Sequence, residues 1–167
     1  MPNIGLIGLG LLGSAMAHRL RAAGFALIGF DIEPARRAEF VDAGGIPVAS
    51  PREVFDRCSR VLLSLPNSAI VSQLLSEAGD SLRPGHLIID TTTGSPEETE
   101  AIGSSLAARS IGYVDATVAG SSRQTRAGDV IVMAGGESSQ IERAEELLRT
   151  FARTVHRVGG CGSGARM

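Results

Sequence analysis

The sequence predicts an α/β protein built on a doubly wound, mostly parallel sheet with helices on both faces. Three observations predict it. Short apolar runs alternate with helical patterns along most of the chain, as in sheets whose strands are buried on both faces. The run Gly8-Leu9-Gly10-Leu11-Leu12-Gly13 directly follows the first apolar run and opens a helix. Asp31 stands at the end of the second run.

The elements follow in order. Ile4 to Gly8 reads as a buried strand, and Leu11 to Ala23 as a helix with Ala15, Met16, Ala17 and Leu20 for packing, stopped by Gly24. Phe25 to Phe30 is the second strand. Glu33 to Ala43 is a helix with Pro34 in its first turn, closed by Gly44-Gly45. Pro47 to Ala49 is a short strand. Ser50-Pro51 caps and starts a helix to Arg57. Val61 to Leu65 is a continuous apolar strand, Pro66-Asn67 ends it, and Ala69 to Ala78 is helical. Leu87 to Asp90 is the next strand, and Ser95-Pro96-Glu97-Glu98 forms a capping box for a helix to Arg109. Tyr113 to Ala116 and Val130 to Ala134 are strands, separated by what reads as a loop. Glu137 to Phe151 is a helix with Ile141, Ala144, Leu147, Leu148 and Phe151 at core spacing, and Thr154 to Val158 is a last strand. This is the order of a Rossmann-type sheet, in which ligands bind beyond the strand C-termini. Gly8, Asp31, Pro66 and Asp90 all lie at such ends.

Composition narrows the function classes. The chain has 167 residues, enough for one core, and a net charge of −2, which gives no broad electrostatic case for nucleic acid. Aromatic content is 4% with no Trp, which disfavours base-stacking platforms. No apolar stretch approaches the roughly 18 residues needed to span a bilayer. No signal-peptide pattern opens the sequence. Cys58 and Cys161 are far apart and imply neither a disulfide framework nor a zinc site. His18, His86 and His156 are scattered, so no metal site is expected. A cytoplasmic setting is the default expectation. Lys is absent, so a mechanism needing a lysine cannot be completed by these residues alone.

The glycine run carries the chemistry. A tight turn needs Gly8, close approach of a pyrophosphate to the main chain needs Gly10, and close packing of helix on strand needs Gly13. Leu9, Leu11 and Leu12 complete the loop. The phosphates meet the free N–H groups of the helix N-terminus. Asp31, about twenty residues on, is placed to accept hydrogen bonds from an adenosine ribose, which argues for NAD over NADP. Arg36 and Arg37, one helical turn further, leave a 2′-phosphate as the alternative.

Four ordered segments resemble the β-hydroxyacid dehydrogenase family, whose members include 3-hydroxyisobutyrate dehydrogenase and tartronate semialdehyde reductase. They are Ile4 through Gly24, Leu63-Ser64-Leu65-Pro66, Ile89 through Pro96, and Asp115 through Ser121 with its continuation to Gly136. The resemblance implies that Leu65, Pro66 and Asn67 lie along the cofactor and that Thr92 and Thr93 contact it near the nicotinamide ribose. It implies a carboxylate-binding turn at Ala119, Gly120, Ser121 and Ser122. Here Ala119 stands where the family has a serine, and Ser121 and Ser122 are the candidates to supply the hydroxyl. Arg123 and Arg126 read as surface charge or an added anion handle. Asp90 reads as a turn acceptor, and Asp115 as fixing the loop that follows it.

The resemblance further implies a two-domain, homo-oligomeric enzyme that oxidises short 3-hydroxy acids reversibly. A lysine at the start of a C-terminal helical domain handles the hydroxyl proton while the nicotinamide takes the hydride. By this alignment the lysine falls just past Met167, so no catalytic residue is assigned within the chain. Residues 1–160 are then the dinucleotide domain and 161–167 the start of a linker, and the piece alone is expected to be nearly inactive. The alternatives are an NADP-dependent imine reductase or 6-phosphogluconate dehydrogenase-like enzyme, and a non-enzymatic nucleotide-binding module.

Overall fold

A computed structural model describes residues 2–167. They form one eight-stranded sheet in the order β3-β2-β1-β4-β5-β6-β7-β8. The strands are β1 Ile4–Ile7, β2 Leu27–Phe30, β3 Ile46–Pro47, β4 Arg60–Leu63, β5 Leu87–Asp90, β6 Gly112–Ala119, β7 Val130–Gly135 and β8 Ala152–Gly159. The helices are α1 Leu11–Ala22, α2 Pro34–Asp42, α3 Pro51–Arg57, α4 Ser68–Ala78, α5 Pro96–Ala107, α6 Ser122–Ala127 and α7 Ser138–Leu148.

The first six strands are parallel to their neighbours. The sheet then reverses: β7 is antiparallel to β6, and β8 is parallel to β7. The expected doubly wound, mostly parallel sheet is therefore present. The chain steps outward from β1 to β3, then returns to β4 on the other side of β1. That return makes the C-terminal edge between β1 and β4 the topological switch point, where α/β sheets open a crevice.

Two apolar clusters hold the layers. On one face Met16, Ala17 and Leu20 of α1 and Ile141, Ala144, Leu147 and Leu148 of α7 pack on Ile4, Leu6, Leu62 and Ile89. On the other, Val54 and Phe55 of α3, Val71 and Leu75 of α4, and Ile102 and Leu106 of α5 pack on Ile7, Val61, Leu63 and Ile88. Each fully buried Leu, Ile or Phe here contributes about 1.5–3 kcal/mol relative to an exposed one.

Several expected bounds shift. The β6 strand is twice as long as its apolar run suggested and β8 runs past its expected bounds at both ends, because beyond Ala116 and along β8 the side chains become partly exposed. The α7 helix ends at Leu148, although Phe151 remains fully buried in the turn that follows. Ser122–Ala127 is a helix where a loop was expected. Ser121 accepts from the Gln124 amide, and Gln124 in turn accepts from the Ser121 amide, a complete capping box. Six residues are too few to show helical periodicity. The capping box expected at Ser95 is only half formed. Its hydroxyl accepts from the Glu98 amide, but the Ser95 amide donates instead to Ser68 Oγ at 3.1 Å. The Glu98 carboxylate accepts from that same Ser68 hydroxyl. Ser68 therefore bridges the starts of α4 and α5.

Candidate functional site

The parallel strands deliver their C-terminal ends to one edge. The Gly8 loop, Asp31, the Ser64–Asn67 loop and the Thr91–Thr93 loop all stand there. At the switch point the glycine turn is sterically compelled. Gly8 has φ +94°, and a Cβ on it would stand 2.0 Å from Ser64 O. A Cβ on Gly13 would stand 2.0 Å from Gly8 O, so the helix lies against the turn with no room for a methyl group. Gly10 is the N-cap of α1. The amides of Leu11, Leu12 and Gly13 therefore open the helix without intrahelical partners. Leu9 and Leu12 turn their side chains toward the core, whereas Leu11 is 82% exposed at the mouth of the loop.

Asp31 binds the glycine loop to β2. Its Oδ2 accepts from the Leu9 amide at 2.8 Å, and its Oδ1 from the Glu33 amide at 2.9 Å. An ionised carboxylate has about four acceptor positions, so capacity remains for two ribose hydroxyls. Arg36 and Arg37 are not equivalent. Arg37 donates to the main-chain oxygen of Asp31 at 2.6 Å and lies over the Phe30 ring. Arg36 lies beside the carboxylate itself, with Nη1 3.6 Å from Asp31 Oδ2, close to Gly10.

The neighbouring loops are tied together. Thr92 Oγ1 accepts from the Leu65 amide at 3.0 Å. Asn67 is spent locally as the N-cap of α4, accepting from the Ile70 amide. Pro66 and Thr93 are exposed at the edge. Asp90 acts as the turn acceptor expected of it. Its Oδ1 accepts from the Thr92 amide at 2.9 Å and its Oδ2 from the Tyr113 hydroxyl at 2.7 Å. Burial raises the Asp90 carboxyl above its ordinary range, against the lowering effect of those hydrogen bonds. Burial, then the Asp90 charge, pushes the Tyr113 phenol up, so it stays a donor.

The turn from Ala119 to Ser122 begins four residues beyond Asp115, at the end of the long β6 arm, roughly 13 Å further along the strand direction at about 3.3 Å per residue. The α6 helix packs on α1, which brings this turn toward the glycine-loop helix. Ser121 is engaged in its capping box, hydroxyl and amide both. Ser122, partly buried, and the exposed Gly120 and Ala119 complete the turn.

Asp115 corrects an expectation. It does not hold the loop after it. It reaches the end of the chain, accepting from the Gly162 amide at 2.9 Å and the Ala165 amide at 3.1 Å. Sequence reading missed this contact because no local pattern links residues about fifty positions apart.

A surface groove of about 680 Å³ runs between α4 and α5 from Ser68 and Glu98 to Arg109 rather than over the glycine loop. An extended ligand lying across strand ends needs an open edge, not an enclosed chamber. Among the described residues no buried side-chain polar atom lacks a partner, and no helix is long and apolar enough to cross a membrane.

The glycine loop, the carboxylate at the end of β2 and the switch point coincide with a match over residues 3–160 to the family described as the NAD binding domain of 6-phosphogluconate dehydrogenase. The chain belongs to this family. Within it the chain is an N-terminal NAD(P)-binding domain of the β-hydroxyacid dehydrogenase type. It is 35% identical to L-threonate dehydrogenase of Cupriavidus necator over 169 residues, covering 99% of this chain and 57% of that protein. It is 32% identical to human mitochondrial 3-hydroxyisobutyrate dehydrogenase over 164 residues, covering 96% of this chain and 49% of the relative. The fold superposes on Mycobacterium tuberculosis 3-hydroxyisobutyrate dehydrogenase with a TM-score of 0.96 at 26% identity, covering 99% of this chain and 57% of that one. The chain thus spans about half the length of these relatives.

Proposed function

We propose that this domain binds NAD for an oxidoreductase that moves hydride between NAD and a short 3-hydroxy acid or its semialdehyde. The observation that carries the reading is Asp31, a buried carboxylate at the end of β2, held against the glycine loop by the Leu9 amide. A carboxylate there rewards two free ribose hydroxyls and repels a 2′-phosphate.

The roles follow from position. The Leu11, Leu12 and Gly13 amides receive the pyrophosphate. Leu65, Pro66, Thr92 and Thr93 line the path from the switch point toward β5. Gly120 and Ser122 are the free groups for a substrate carboxylate, because the Ser121 amide and hydroxyl are engaged. When bound, the nicotinamide supplies the hydride acceptor. The family resemblance supports a proton-handling lysine just past Met167, in a helical domain that also carries oligomer contacts. On that reading residues 1–160 are the dinucleotide domain and the 167-residue chain alone turns over almost no substrate.

One observation favours a second reading, use of NADP. The half-exposed Arg36 stands beside Asp31 and could pair with a 2′-phosphate if the carboxylate yields. The deciding experiment assays the protein extended past Met167 with a panel of short 3-hydroxy acids and both cofactors. Turnover with NAD well above that with NADP supports the first reading. The reverse supports the second, and no turnover with either refutes the enzymatic proposal.

A further inference from the structure

The last residues do not trail from the domain. Gly160 to Met167 fold into a turn closed by hydrogen bonds from Ser163 to Gly160, Arg166 to Ser163 and Met167 to Gly164. Three contacts seat the turn on the body. Asp115, 3% exposed, accepts from the Gly162 and Ala165 amides with its two oxygens. Cys161 donates to Thr99 O of α5 at 3.4 Å, and Arg166 pairs with Glu100 of α5 at 2.6 Å. The fit allows no slack, since a Cβ on Gly164 would stand 2.6 Å from both Asp115 Oδ2 and Met133 O.

This seat lies at the functional edge. Asp115 on β6 is in register with Asp90, the last residue of β5. The two aspartates stand side by side, and each accepts loop amides. Asp90 holds Thr92 of the cofactor-side loop, and Asp115 holds the chain's exit. Tyr113, two residues before Asp115, closes the pair by donating to Asp90.

We infer that Asp115 is a positioning residue for the reacting centre. Its clamp on Gly162 and Ala165 fixes where, and in which direction, the chain leaves the domain against α5. It thereby sets the place of the proton-handling group carried by the residues that follow. The inference rests on the function proposed above.

The test uses Asp115→Asn and Gly164→Ala. The second variant keeps the carboxylate and displaces only the turn, so it stands if the first fails to fold. In the 167-residue chain, amide exchange at Gly162 and Ala165 should accelerate about tenfold or more, while that of β1 stays unchanged. In the extended protein, kcat should fall roughly 10- to 100-fold, because a displacement of about 1 Å is enough for such a loss. The NADH dissociation constant should stay within about twofold in both variants, which a general loss of structure would not allow. Accelerated exchange with kcat unchanged overturns the positioning role. So does a kcat loss matched by an equal loss of NADH affinity. If wild-type extended protein turns over no hydroxy acid, the proposed function fails and this role falls with it. An active wild type with active variants removes this role alone.

Discussion

The Leu9 amide donates to Asp31 Oδ2 at 2.8 Å, across the gap between β1 and β2. The same carboxylate accepts from the Glu33 amide, so one side chain fixes both the glycine loop and the entry to α2. Asp31 is thus structural before any ligand arrives. Asp31→Ala leaves two amides without their acceptor, at about 1–3 kcal/mol for the less exposed one. Urea denaturation should show that loss with an unchanged m-value. A variant as stable as wild type would mean water replaces both bonds without penalty.

Gly13→Ala should be among the most damaging single methyl additions in the chain. The new Cβ meets a main-chain oxygen of Gly8 at 2.0 Å, and backbone cannot swing aside as a long side chain can. We expect a loss of about 3 kcal/mol, near the upper end for point substitutions, with NADH binding abolished. Thermal denaturation and a binding titration on the same sample check both effects.

Ser68→Ala removes the hydroxyl that receives the Ser95 amide and donates to Glu98. The Glu98 carboxylate can turn to solvent, but the Ser95 amide stays under the α4–α5 contact. A loss of about 1 kcal/mol in denaturant unfolding is expected, the usual size for one such bond. Removing Ser95's own cap with Ser95→Ala should have a similar effect, about 1 kcal/mol. Because both substitutions act on the start of α5, their effects should not add.

Both thiols should be sluggish toward Ellman's reagent in the folded protein. Burial pushes Cys58 from 9.0 up to about 11, and burial together with Asp115 and Glu100 does the same to Cys161. At pH 8 the thiolate fraction is then roughly a hundredfold below that of an ordinary cysteine. Both residues should label fully only after unfolding. The linked stability is present below the unfolded value near 9 and is lost as pH rises through about 11. Rapid labelling of either thiol at pH 8 in the native state would contradict the packing described for it.

The parallel part of the fold was legible because its strands are continuous apolar runs and three of its helices, α3, α4 and α5, carry side-chain caps in sequence. Ser50, Asn67 and Ser95 each accept from the amide three residues on, as their positions implied. The glycine loop was legible because steric necessity leaves only glycine at Gly8 and Gly13. What escaped were contacts made through space. The α6 helix has a readable Ser121-to-Gln124 capping box but is too short for periodicity. Ser68 displaced the reciprocal half of the Ser95 box from another helix. Asp115 found its partners about fifty residues away, and no spacing rule reports such a pairing. The difference between Arg36 and Arg37 needed coordinates too, since only the direction of each side chain separates them.

The central claim is that Asp31 makes this edge an NAD site. Calorimetric titration of the chain with NADH and with NADPH, repeated on Asp31→Ala, tests it most directly. The account predicts that NADH binds more tightly than NADPH by at least about tenfold, or 1.4 kcal/mol, and that the substitution erases this preference. Tighter binding of NADPH by the unsubstituted chain, with Arg36→Ala abolishing it, would contradict the claim and assign the site to a 2′-phosphate.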